Sequence, residues 1–118
     1  LSIEGIVISH YFTSGIAGRP ISSTHVGYHL VSKLHCSAIQ GHSHLYNCAE
    51  QTRPDGQKIF GLSAGCFSHP KYSESWCKDT EYLWWRGIVM LEGLDGEGYY
   101  DEMRSITQRK LIREYGSI

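Results

Sequence analysis

The chain has 118 residues, a net charge of −1, 41% hydrophobic residues and 19% charged ones. That length supports one domain with its own core, and the composition is that of a globular chain, not a disordered one. Near-zero charge excludes general electrostatic capture by nucleic acid or an anionic membrane, and no apolar run approaches the ~20 residues that a membrane-spanning helix needs.

Ile3 to Ser9 reads as a short buried strand, with His10 at its end. From Tyr11 to Pro20, the residues Gly15, Gly18 and Pro20 mark a loop that carries Arg19. Ser22 or Ser23 can cap a helix running to about His35, with Val26, Leu30, Val31 and Leu34 as its buried stripe. Cys36 to Gln40 is a second buried strand, and Gly41 begins the turn after it. The unit over residues 3–40 therefore predicts strand–helix–strand with a parallel, right-handed crossover.

After His44 the pattern changes to short strands. Leu45 to Glu50 and Lys58 to Ser63 flank a strong turn signal over 53–57. Ala64 to Thr80 reads as a long loop. Tyr82 to Leu91, rich in aromatic and branched residues, reads as a strand, and Tyr99 to Ile106 as its return after a turn over 94–98. Thr107 to Tyr115 predicts a short helix with Leu111, Ile112 and Tyr115 on one face, stopped by Gly116. The expected fold class is α/β: a strand–helix–strand unit followed by a mostly antiparallel β-meander, in a single domain over 1–118.

Seven histidines are the compositional excess. Two of them stand in Gly41-His42-Ser43-His44, directly after a buried strand. Glycine lets the chain turn sharply at the strand end, and His-x-His can place two ring nitrogens on two adjacent metals about 3.5–4 Å apart. His10 ends the other strand of the parallel unit. Two strand ends delivering histidines make a metal site at the carboxyl edge of an α/β sheet.

These residues, with the helix between them, resemble the C-terminal half of a calcineurin-like metallophosphoesterase. That family ends its metal-binding motifs with a lone histidine at a strand end and a Gly-His-x-His tetrad. The resemblance implies that His10 and His42 bind the second metal and that His44 binds the first. It implies two divalent ions (Mn, Fe or Zn), a phosphoester substrate such as a nucleotide or nucleic acid, and half of a two-sheet sandwich as the fold. The hydrolysis it implies is dinuclear, with a metal-held hydroxide attacking phosphorus in line.

The earlier motifs of the family, Asp-x-His, Gly-Asp and Gly-Asn-His-Asp/Glu, do not occur in this sequence. The chain opens on Leu1, almost inside a strand, and so reads as the C-terminal part of a larger enzyme that lacks its N-terminal half and is inactive alone. A half-sandwich exposes a sheet face or edge, which invites homo-oligomers.

Arg19, in the loop leaving His10, is a candidate for holding a substrate phosphate by two hydrogen bonds. His25 and His29 share a helix face at a spacing compatible with one metal, although a half-exposed helix flank explains them more simply. Trp76, Tyr82, Trp84 and Trp85 form either a base-stacking platform or ordinary packing, with Trp84 and Trp85 on opposite faces of a strand. The cysteines Cys36, Cys48, Cys66 and Cys77 contain no close pair, so reduced thiols in a cytoplasmic protein are expected. The alternative to the enzyme is a non-catalytic, zinc-stabilised binding or structural module, with Cys36, His42, His44 and Cys48 as its ligands.

Overall fold

A computed structural model describes residues 1–14, 18–21, 24–67 and 83–116. In chain order the elements are β1 Ser2–Ile3, β2 Ile6–Ile8, β3 Thr13–Ser14, β4 Arg19–Pro20, α1 Val26–Leu34, β5 Ala38–Gln40, β6 Tyr46–Thr52, β7 Lys58–Ala64, β8 Gly87–Glu92, β9 Glu102–Thr107 and α2 Gln108–Tyr115. The class is α/β, as the sequence predicts. A mixed five-stranded sheet has the order β1-β2-β5-β7-β6, and two-stranded ribbons form from β3–β4 and from β8–β9.

β2 and β5 run parallel on either side of α1, with Val7 opposite Ala38 and Ile8 opposite Ile39. The expected single strand from Ile3 to Ser9 is instead a tight hairpin. Glu4 and Gly5 both adopt positive φ (53° and 82°), which turns β1 back antiparallel to β2. The expected loop between Tyr11 and Pro20 also carries the short β3–β4 ribbon.

The helix starts later than expected. Ser22 and Ser23 lie outside the described residues, and the N-cap position is His25, whose side chain makes no capping bond. A distant partner serves that end instead, since the Gly27 amide donates to Asn47 Oδ1 at 2.8 Å. His35 closes the helix in the left-handed region (φ 56°), its amide donating to the Val31 carbonyl at 3.1 Å.

The largest departure lies in the meander. β7 pairs antiparallel with β6 but parallel with β5, so β7 sits inside the sheet and β6 forms its edge. The side chains explain the order. β7 is buried along most of its length, as a strand covered on both faces must be, whereas β6 is half-exposed. α1 covers one face, where Val26 and Leu30 pack with Ile21. On the other face Ile6, Phe60 and Leu62 meet Val89, Leu91 and Met103 of the β8–β9 ribbon.

Tyr82 to Leu91 is not one strand. β8 begins only at Gly87, and the described residues before it are irregular apart from a bridge between Arg86 and Cys66. Trp84 and Trp85 therefore do not alternate across a sheet. Residues 68–82, with His69, Trp76, Cys77 and Tyr82, lie outside the described set. α2 is capped by Thr107, whose Oγ1 accepts from the Lys110 amide at 3.2 Å. Ile112 and Tyr115 on it are exposed while Leu111 is half-buried, so the apolar face expected there is only partly covered within the described residues. Among the described residues no helix is long and apolar enough to cross a membrane.

Candidate metal centre

The parallel ladder continues past the ends of β2 and β5 and sets the two strand-end histidines side by side. The Ser9 amide donates to the Ile39 carbonyl (3.1 Å), and the Gly41 amide to the His10 carbonyl (3.2 Å). One residue beyond Gly41, the His42 ring meets the His10 ring edge to face. Their centroids are 5.2 Å apart, and His42 Nδ1 lies 3.3 Å from His10 Nε2. The ring of Tyr11 packs against His42 at 5.5 Å. Both histidines are exposed, so an ion could reach them from solvent.

The distance suits the chemistry. Two imidazole nitrogens bound to one tetrahedral ion at ~2.05 Å stand about 3.3 Å apart. The separation of the two nitrogens thus matches that of two ligands in one coordination shell. Until an ion arrives, one ring can donate its N–H to the other.

The turn that carries His42 is anchored from below. Ser63, fully buried on β7, donates from Oγ to the Leu45 carbonyl (2.6 Å) and accepts from Ser43 Oγ (3.0 Å). Gln40, also fully buried, donates through Nε2 to the Ile21 carbonyl (3.0 Å) and accepts the Phe12 amide at Oε1 (3.1 Å). These two polar side chains lock the sheet edge to the loops on either side of it. Neither was singled out from sequence, although both are polar residues within otherwise apolar strand runs.

His44 does not join the pair. It adopts φ 60°, and its ring stands edge-on to Trp84 with centroids 4.2 Å apart. Its backbone carbonyl accepts from the Trp85 amide (3.0 Å), which ties the tetrad to the irregular segment before β8. Arg86 lies over Trp84, with its guanidinium carbon 5.7 Å from the ring centre. Burial lowers the His44 pKa below the ordinary imidazole value, and the electrostatic influence of neighbouring His10, His42 and Arg86 lowers it further. The Trp84–Arg86 flank was not assigned to the site from sequence. Its signal is the Trp84-Trp85-Arg86 run, which the strand expectation concealed.

Because the folded state disfavours protonated His44, its contribution to stability is complete above the unfolded imidazole pKa near 6.5 and is lost as pH falls through the lower folded value. In the metal-free chain, an NMR titration should show His44 changing charge below that ordinary value. Trp84→Ala, which opens the ring to water, should move the midpoint upward. A midpoint at or above the ordinary value would contradict the half-buried placement against Trp84.

The other candidates separate from this edge. Arg19 is exposed on β4, and no described hydrogen bond links it to His10 or His42. Its ribbon does leave the same sheet edge, through the Phe12–Gln40 bond. His25 and His29 line a different cleft of about 470 Å³ between α1 and β6, with Tyr28, Asn47, Cys48 and Ala49. Cys36, Cys48 and Cys66 are partly buried. Burial raises the Cys36 pKa and pushes that of Cys48 up to about 11, which keeps both thiols protonated. Among the described residues no three His, Cys, Asp or Glu side chains form a group able to hold a metal ion.

No family model matches the chain, and neither a curated protein nor a solved structure is similar to it.

Proposed function

We propose that this chain provides the C-terminal ligands of a dinuclear, metal-dependent phosphoester hydrolase of the calcineurin-like kind. The observation that carries the reading is the His10–His42 pair, 3.3 Å apart at the carboxyl ends of adjacent parallel strands. A lone strand-end histidine and the first histidine of the tetrad are the two that the resemblance assigns to a common ion. His44, turned away toward Trp84, is left to serve the neighbouring ion. The β8–β9 ribbon, packed over the face of the main sheet opposite α1, agrees with half of a two-layer sandwich.

The fit covers part of a site only. His10 Nε2 and His42 Nδ1 would hold one divalent ion (Mn, Fe or Zn), Ser63 keeps the tetrad turn in place, and Gln40 ties the sheet edge to Phe12, which leads into the β3–β4 ribbon. Bound metal would supply Lewis-acid stabilisation of phosphoryl oxygen and an activated water. No carboxylate joins the histidines among the described residues, so the bridging ligand and the acid for the leaving group must come from a polypeptide segment that completes the site.

The test is a metal titration by calorimetry paired with a phosphodiesterase assay. The 118-residue chain should bind zinc or manganese weakly, with turnover of bis-p-nitrophenyl phosphate at background. Sustained turnover by the chain alone would overturn the half-site, and absence of any metal binding would overturn the pair as ligands. The zinc-stabilised module gains no support, because Cys36 and Cys48 do not gather with His42 and His44 into such a group.

A further inference from the structure

Beside the histidine edge lies a second feature that metal binding does not use. A cleft of about 390 Å³ is lined by Thr24, Leu45, Tyr46, Leu83, Trp84 and Trp85. That volume is within the range of small-molecule sites, roughly 300–1,000 Å³. None of Leu83, Trp84 and Trp85 belongs to either described core cluster, and Leu83 is 49% exposed. Among the described residues Trp84 and Trp85 are half-buried, with the Trp85 indole resting on Gly65 and Gly87, so these apolar side chains form the wall of a surface cleft.

The cleft is continuous with the candidate centre. Trp84 touches His44, the Trp85 amide bonds the His44 carbonyl, and Tyr46 packs against Trp85 with ring centroids 5.0 Å apart. Arg86 brings a cation over Trp84 and within electrostatic reach of His44. Rings for stacking next to a guanidinium and a metal-capable edge form a two-part recognition surface. One part suits a planar π-face and the other an anion.

We infer that the Trp84–Trp85–Tyr46 cleft binds the planar ring of an aromatic phosphoester, with a nucleotide as the ligand, while its phosphoryl group faces Arg86 and the histidine edge. This rests on the phosphoester reading above. A nucleotide and a simple aryl phosphate share the recognising chemistry, a flat ring a short distance from a phosphoryl group. The cleft, about 390 Å³, is larger than a single phenyl ring needs and has the polar residue Thr24 in its lining, which favours a base.

The test is calorimetric titration of the full chain in chelator with adenosine 5′-monophosphate, phenyl phosphate, ribose 5-phosphate and inorganic phosphate. AMP should bind at least about tenfold tighter than ribose 5-phosphate, and Trp84→Ala should remove that advantage while leaving phosphate binding unchanged. Leu83→Glu, at an exposed wall position, should abolish the same advantage without touching the core. It keeps the test decisive if Trp84→Ala does not fold. Equal binding of AMP and phenyl phosphate, both above ribose 5-phosphate, would keep the ring site and make aryl phosphates its source. Equal binding of all four would overturn the cleft as a ligand site.

Repeating the titration with manganese separates the two readings. A ring preference that metal never strengthens would leave the cleft standing and remove the metal centre. Metal-enhanced phosphate binding with no ring preference would do the reverse.

Discussion

His10→Ala and His42→Ala should each lower zinc affinity at least about tenfold and leave the unfolding midpoint unchanged. Two imidazoles 3.3 Å apart act as one chelating unit, so removing either leaves a single exposed imidazole with ordinary, weak affinity. The double variant should be little worse than either single one, because the second ligand has no partner left to lose. Stability should not follow affinity. Both side chains are exposed, and the hydrogen bonds that place them run through the backbone of Ser9, His10, Ile39 and Gly41 and survive truncation to alanine. His44→Ala removes the ring from Trp84 but neither nitrogen of the pair, so zinc held by the pair should persist. Arg19→Ala should leave zinc affinity unaltered for the same reason. Calorimetry with zinc, beside chemical denaturation, decides the matter. A His10→Ala chain that binds zinc as tightly as its parent would place the metal elsewhere.

What the sequence made legible was local. Two apolar runs with a helical stripe between them specified β2, α1 and β5, and a glycine at the end of the second run placed the turn that bears His42. Parallel pairing then brought His10 beside it, with no further information needed. The features that escaped depend on partners distant in the chain. Trp84 and Trp85 have every local mark of a strand, yet Trp85 spends its amide on His44 and its carbonyl on Cys66, which holds the segment irregular. At the start of α1, Asn47, twenty residues on from Gly27, supplies a side-chain oxygen to the Gly27 amide.

The order of β6 and β7 was legible in principle. Ile59-Phe60-Gly61-Leu62-Ser63 is apolar or small throughout, the mark of a strand covered on both faces. Tyr46-Asn47-Cys48-Ala49-Glu50-Gln51-Thr52 mixes polar and apolar residues, as an edge strand does. Reading both as members of one antiparallel meander overlooked that contrast. Glycine at position 5 likewise marked the hairpin that splits the first strand.

Gly61→Ala should destabilise the chain by about 3 kcal/mol, read as a lower denaturant midpoint with an unchanged slope. The sign is the informative part. A glycine inside a strand has no conformational reason to be there when its φ is not positive, and alanine at such a site ordinarily gains ~0.4–1 kcal/mol through the unfolded state. Here the added methyl carbon would stand 2.1 Å from the Gly27 carbonyl oxygen and 3.0 Å from Leu30 Cβ. Gly27 mirrors it, since a Cβ there would meet the Gly61 carbonyl oxygen at 2.5 Å and the Ala49 amide at 3.0 Å. Backbone lies directly on backbone, and neither side has a flexible end that could yield. α1 must lift from β7, which loosens Leu30 and Val26 beneath it. Gly27→Ala should cost a comparable amount, and the pair together less than the sum, because a helix already lifted by one methyl has room for the other. Zinc affinity of the folded fraction should not change, since the His10–His42 edge hangs on the β2–β5 ladder and not on this contact. A Gly61→Ala chain as stable as its parent would mean that α1 does not rest on β7 at this point.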